Sequence, residues 1–133
     1  MSASLPYLIH LRFNQALIIV RSIPEQEVGL QPIPSDRLKF YGFYKQATFG
    51  ECNTPKPSSR NVVEYAKWKA WYRVRHHSCM EAKNLYVNAL VELLVEFINR
   101  YPNNQHHEFA KQALQSLEFN AATASESKCI YMR

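Results

Sequence analysis

Apolar residues at Phe13, Ala16, Leu17, Val20 and Ile23 recur with the three- and four-residue spacing of one helix face. They predict a first helix ending near Pro24. A connection rich in Pro and Glu follows, through Gly29, Pro32 and Pro34. Ser35 then reads as an N-cap, with Asp36 suited to the positive end of a second helix. That helix carries Leu38, Tyr41, Phe43, Tyr44 and Ala47 and stops at Gly50. Residues 50–60 hold Gly50, Asn53, Pro55 and Pro57 and read as a loop. Val62, Val63, Ala66, Trp68, Ala70 and Trp71 predict a third helix, ended by His76-His77. Ser78 with Glu81 three residues on forms a capping box for a fourth helix. Its stripe is read as Ala82, Leu85, Tyr86, Ala89, Leu93 and Phe97, and Tyr101-Pro102-Asn103-Asn104 stops it. Phe109, Leu114 and Leu117 motivate a fifth helix over 106–119, with a disordered tail after it.

With 133 residues, 47% of them hydrophobic, the chain can build one domain with a real core, and the pattern shows neither an internal repeat nor a second domain. Three glycines are too few for a fold of many tight hairpins. The net charge of +5 points to an anionic partner: nucleic acid, a membrane surface or a phosphate-bearing metabolite. Cys52, Cys79 and Cys129 form no disulfide framework and suit a reducing compartment. The apolar run Ala16–Val20, bracketed by Arg12 and Arg21, is far short of the roughly 18 residues of a membrane span and carries no secretory signal pattern. Cys129 lies fifth from the end, outside a prenylation box. The expectation is a cytoplasmic protein, tethered to an organelle if the natural chain is longer.

Tyr41, Tyr44 and Lys45 fall at i, i+3 and i+4, on one face of the second helix. Phenols stack on bases and donate hydrogen bonds, and an ammonium binds phosphate as a point charge. The competing reading makes both tyrosines core and Lys45 a solvated cation. Trp68 and Trp71 are read as core, because aromatic stripes at helical spacing pack inward. His76-His77 with Cys79, and His106-His107, lack paired metal-ligand spacings, so no metal site is expected. No Ser/His/Asp motif and no general base are recognisable, so no catalytic residue and no enzyme activity are expected. Lys67 to Arg75 interleave Trp, Tyr, Lys and Arg, which would suit a nucleic-acid surface; a solvated basic helix face explains the run as well.

The run Leu38-Lys39-Phe40-Tyr41-Gly42-Phe43-Tyr44-Lys45-Gln46-Ala47-Thr48-Phe49-Gly50 resembles the signature helix of acyl-CoA-binding proteins. Ala66-Lys67-Trp68-Lys69-Ala70-Trp71 is similar to that family's second signature, and Asn53 and Pro57 fall where the family has its loop Asn and Pro. Ser78 to Glu81, Ala82 and Tyr86 fit the start of its last helix; Phe13, Ala16, Val20 and Pro24 fit its first. The resemblance implies an all-α fold, a four-helix up-down-down-up bundle over 13–98, here with an extra C-terminal helix. Residues 1–12 and 99–133 would be extensions.

It also implies a ligand, long-chain fatty acyl-CoA, with no cofactor and no nucleic acid, and a monomer that carries lipid metabolites. Contact with a membrane or with acyl-CoA-using enzymes would be transient. Residue by residue, Tyr41, Tyr44 and Lys45 match the tyrosines and lysine around the adenine and 3′-phosphate. Lys67 matches a second lysine on the CoA head, Tyr86 the tyrosine near the adenine, and Arg21 a basic residue of the first helix. Leu17 and Leu38 match positions flanking the acyl chain, and Gly42 and Phe43 lie inside the same segment as backbone or wall contacts. There are departures. The first connection is about five residues longer than in minimal members of the family, and with Gln31-Pro32 it looks like that of the large, often membrane-tethered ones. Glu64-Tyr65 replace a Gly-Lys pair, and His76 stands where Gly is frequent. A basic helical module that binds nucleic acid or protein, without acyl-CoA affinity, is the alternative.

Overall fold

The computed structural model describes the backbone of residues 4–126 and side chains through Glu118. Five α-helices follow in order: α1 (Leu5–Ser22), α2 (Pro34–Phe49), α3 (Val62–Arg73), α4 (Cys79–Arg100) and α5 (His107–Glu126). A short 3₁₀ turn, Val28–Leu30, lies between α1 and α2, and no strand occurs among the described residues. No helix among them is long and apolar enough to cross a membrane. Two compact units form, one from the chain up to Gln31 with the chain from Val87 on, the other from Pro32–Tyr86.

In the first unit α1 begins at Leu5, two turns before the expected Phe13 face. The Ser4 hydroxyl accepts the Tyr7 N–H at 3.3 Å, and Pro6 sits in the first turn, where its missing N–H costs nothing. Helix α1 buries Phe13, Ala16 and Ile19, while Leu17 and Val20 are half-buried. Helix α5 packs along α1 and buries Ala110, Ala113 and Leu117, and Gln15 Nε2 donates to Ser116 Oγ at 3.1 Å. The expected Phe109 and Leu114 are only half-buried beside them. Because α5 runs to Glu126, residues 120–126 are helical rather than tail, and the rest of the expected tail lies outside the described residues. The buried stripe of α4 is Ala82, Tyr86, Leu90, Leu94 and Phe97 with Val87, rotated from the predicted one; Leu85, Ala89 and Leu93 are half-buried. The first connection is pinned by fully buried Leu30 and by Gly29, where a Cβ would lie 2.8 Å from the Tyr101 ring and 3.0 Å from that of Phe97. Glu27 meets His106 Nδ1 at 2.7 Å, and that hydrogen bond holds its carboxyl below the usual range against the opposing effect of burial.

In the second unit α2 starts one residue before the predicted Ser35 cap. Pro34 takes the first helical position with Ile33 as cap, and no side chain caps the end. Proline's fixed φ suits that position, so Ser35 moves inside the helix. Gly50 ends α2 with φ 80°, as its lack of a Cβ permits. Helix α3 stops at Arg73, short of the two histidines, because i to i+3 bonds from Val74, Arg75 and His77 tighten the chain into turns. The predicted capping box forms: Glu81 N–H donates to Ser78 Oγ at 3.0 Å and Ser78 N–H to Glu81 Oε1 at 2.8 Å. The Ser78 N–H bond, seconded by nearby His77, lowers the Glu81 pKa. Trp71 Nε1 donates to Gly50 O at 2.8 Å and Trp68 Nε1 to Thr54 O at 3.0 Å, stapling the 50–60 loop to α3.

Candidate functional site: a cation-flanked tyrosine beside an apolar groove

Helices α2 and α3 approach closely where Gly42 meets Ala70. A Cβ on Gly42 would lie only 2.5 Å from the Ala70 carbonyl oxygen. The contact brings Tyr41, one residue before Gly42, near Lys67, one turn before Trp71. Lys67 Nζ lies 5.2 Å from the Tyr41 ring centroid and Lys45 Nζ 5.9 Å from it. Two ammonium groups thus flank one half-buried phenol, an arrangement suited to an anionic head with a planar base.

The two cations are held differently. Lys45 Nζ sits 4.1 Å from the Phe49 ring centroid and 4.7 Å from that of Trp71. No ion pair holds it among the described residues, so its charge is positioned by rings and stays available to a phosphate. Lys67 is 3.8 Å from Glu64, a half-exposed pair worth little in water. Glu64 therefore offsets the charge of Lys67 only weakly.

Next to this cluster a groove of about 430 Å³ runs between the N-terminal halves of α2 and α3. Leu38, Val62, Val63 and Ala66 line it, Tyr41 and Lys67 stand along it, and it carries no carboxylate. Such a site is apolar over most of its length with a few polar groups beside it.

The remaining expected residues distribute as follows. Tyr44 is half-buried at i+3 from Tyr41. Phe43 lies about 200° round α2 from Tyr41, away from the cluster, and is half-buried. Gly42 is buried against α3, so its position is explained by helix packing. Tyr86 is only 4% exposed and packs edge-to-face on Phe40 at 5.1 Å. Leu17 and Arg21 lie four residues apart on α1, in the other unit, the first half-buried and the second exposed. The sequence reading did not single out Phe49 at this site and read Trp71 only as core. The signal for Phe49 was its i+4 spacing from Lys45; Trp71 is indeed buried, and its ring also faces Lys45.

Among the described residues no group of three or more His, Cys, Asp or Glu could hold a metal ion. The basic aromatic stretch of α3 presents few free faces for stacking. Tyr65 and Trp68 stack at 6.3 Å, Trp68 and Tyr72 at 4.8 Å, and the ladder is closed by Lys56 over Tyr65 and Arg75 over Tyr72.

Residues 10–90 match the family model described as acyl CoA binding protein. The chain is 40% identical over 83 residues to acyl-CoA-binding domain-containing protein 5 of Xenopus tropicalis, covering 62% of this chain and 18% of that protein. It is 44% identical over 64 residues to acyl-CoA-binding domain-containing protein 4 of Arabidopsis thaliana, covering 47% of this chain and 10% of that one. The chain thus matches less than a fifth of the length of either relative. Among solved structures, the acyl-CoA-binding protein of Moniliophthora perniciosa superposes with a TM-score of 0.70 at 28% identity, covering 90% of this chain and 99% of that one. Acyl-CoA-binding protein 2 of Oryza sativa does so with a TM-score of 0.58 at 31% identity, covering 66% and 92%. These likenesses bear out the all-α bundle with its extra C-terminal helix, and the chain belongs to the acyl-CoA-binding protein family.

Proposed function

We propose that the chain binds long-chain fatty acyl-CoA esters and carries them in lipid metabolism, performing no chemistry on them. The observation that carries this reading is the juxtaposition on α2 and α3 of an apolar groove with a tyrosine flanked by two lysines. An acyl-CoA has the complementary form: an apolar tail, an aromatic base and several phosphate charges. Tyr41 and Tyr44 would meet the base, Lys45 and Lys67 the phosphates, and Leu38 the tail. Tyr86 would act as a wall behind them. A carrier needs cations, a planar wall and a dry channel, and no nucleophile. Phe49 and Trp71 support the reading by holding the Lys45 ammonium without neutralising it.

Calorimetric titration with palmitoyl-CoA, free CoA and palmitate tests it. Burial of each methylene contributes about 0.8 kcal/mol, so two should tighten binding on the order of tenfold until the groove is full. Free palmitate, lacking the head, should bind far more weakly than its CoA ester. A flat response from short to long acyl chains, or equal affinity for palmitate and palmitoyl-CoA, would count against the carrier.

A further inference from the structure

The loop between α2 and α3 carries a chemistry that the acyl-CoA site does not use. From Cys52 to Val63 it holds no Asp or Glu, and its cations, Lys56 and Arg60, lie two residues either side of Ser58. Lys56, Ser58, Ser59 and Arg60 are all exposed. The backbone is little committed there. Among the described residues, Asn61 N–H to Ser58 O at 3.0 Å is the one backbone–backbone hydrogen bond that residues 51–60 make. Pro55 and Pro57 favour extended backbone at Thr54 and Lys56, the residues before them. In an extended segment alternate residues share a face, so Lys56, Ser58 and Arg60 are presented together.

Ser58 also abuts the start of α3. Its carbonyl accepts the Asn61 N–H, and its hydroxyl accepts the Arg60 N–H at 3.2 Å. Asn61 caps α3 without a side-chain bond, so the positive end of that helix has no acceptor from its own cap. The first turn of α3 supplies Val62 and Val63. With Pro34 they rim the apolar groove at the end away from Tyr41 and Lys67. From Val62 to Lys67 the helix rises about 7.5 Å, so Ser58 stands by the far rim and not by the head-group cluster.

We propose that Ser58 is a phosphorylation site for a serine kinase that reads flanking cations, and that its phosphate shortens the acyl chains the groove accepts. Kinases select substrates by charge pattern, and a carboxylate-lined cleft would take Lys56 and Arg60 on either side of the hydroxyl. Ser59 falls on the opposite face of an extended segment, away from both cations. In the transfer Ser58 Oγ bonds to the γ-phosphorus of ATP held with Mg²⁺. The bond to the β-phosphate oxygen breaks, ADP leaves, and the hydroxyl proton passes to the kinase's catalytic carboxylate. The product carries a charge of about −1.5 to −2 beside the Arg60 N–H and the start of α3, where an anion is favoured. A hydrated anion at that rim opposes burial of the last methylenes of a long tail, whereas a short tail ends before it. That consequence rests on the acyl-CoA reading; the phosphorylation itself does not.

The test is incubation of the full chain with the catalytic domain of protein kinase C, ATP and Mg²⁺, followed by tandem mass spectrometry. Near-complete phosphorylation of Ser58 is expected. Ser58→Ala should lose it, and Lys56→Ala/Arg60→Ala should slow it by roughly tenfold or more. Calorimetry should then show palmitoyl-CoA binding to the phosphorylated chain weakened about fourfold for each methylene driven from the groove, with octanoyl-CoA binding changed less than about twofold. No phosphate on the chain, phosphate only at other residues, or a rate indifferent to the loss of Lys56 and Arg60 would overturn the site. Equal losses for the two esters, or no loss for either, would overturn the effect on chain length. A chain that takes phosphate on Ser58 but binds no acyl-CoA in either form would sink the carrier reading and leave the modification standing.

Discussion

Gly42→Ala puts the contact between α2 and α3 to the test. A Cβ at residue 42 would meet the Ala70 carbonyl oxygen at 2.5 Å and its carbonyl carbon at 3.0 Å. Carbon–oxygen contacts settle near ~3.3 Å, so the two backbones would have to part by roughly 0.8 Å. Neither atom is the free end of a side chain, so the strain cannot be relieved by a rotamer change. Overpacking of this kind costs about 1–3 kcal/mol, and replacing a mid-helix glycine by alanine returns about 1 kcal/mol. With backbone as the obstacle the cost lies in the upper part of its range, and a net loss of about 1–2 kcal/mol is expected. For a chain of this size that corresponds to a fall in Tm of about 3–8 °C. Urea denaturation and thermal melts followed by circular dichroism would measure it. Leu38 and Ala66 lie one turn before the contact and line the groove, so parting the helices should also weaken palmitoyl-CoA binding severalfold. A Gly42→Ala protein as stable as the wild type, or more so, would refute the packing account of this glycine.

Lys45→Ala and Lys67→Ala should each remove a charge-assisted contact worth about 1.5–3 kcal/mol, weakening palmitoyl-CoA binding by about tenfold to a hundredfold without unfolding the chain. Wild-type affinity in both would mean that the site is elsewhere. Phe49→Val removes the ring nearest the Lys45 ammonium, and calorimetry should show a smaller loss of about twofold to fivefold. Leu117→Ala truncates a fully buried side chain of α5 and should cost about 2–5 kcal/mol in urea denaturation; a loss below about 1 kcal/mol would show that α5 contributes little to the core. Glu27 has a folded pKa held below its ordinary 4.5, mainly by His106, so its stabilisation is present above that range and is lost as pH falls through the lowered value. Glu27→Gln should therefore lower stability near neutral pH and flatten its decline on acidification, and parallel pH profiles for the two proteins would refute the linkage.

The helices were legible wherever local chemistry decides them. Ser78 and Glu81 announce a helix start because both partners of the capping box lie within one turn. Gly50 announces an end because its φ of 80° favours a residue without a Cβ. Where two local rules compete, the reading went astray. Ser35 looks like a cap until Pro34 takes the first helical position, and the start of α1 lay hidden because Ser4 and Pro6 precede the periodic face. Rotation about an axis was less legible still. Helix α4 is apolar at Leu85, Ala89 and Leu93 as well as at Leu90 and Leu94, so its sequence does not say which set is buried. Helix α5, which packs on α1, buries two alanines and leaves Phe109 half-buried. That is tertiary information, absent from any window of sequence.

For the candidate site the division runs along the same line. Tyr41, Tyr44 and Lys45 share a face by spacing alone, whereas Lys67 joins them only through the α2–α3 contact and was placed by resemblance. What neither spacing nor resemblance conveyed is how the pieces depend on one another. Gly42 stands inside the segment that resemblance alone associates with the ligand, yet it is covered by Ala70; its structural role is to let α3 come close enough for Lys67 to reach the Tyr41 ring. Phe49, a residue open to solvent, looks dispensable until Lys45 is seen above it. Rings attract the ammonium without cancelling its charge, as a carboxylate would. A phosphate arriving at Lys45 therefore has no ion pair to break, whereas at Lys67 it must compete with Glu64. The two lysines, alike in sequence, thus enter binding with different costs, and Glu64→Gln should strengthen the contribution of Lys67 while leaving that of Lys45 untouched.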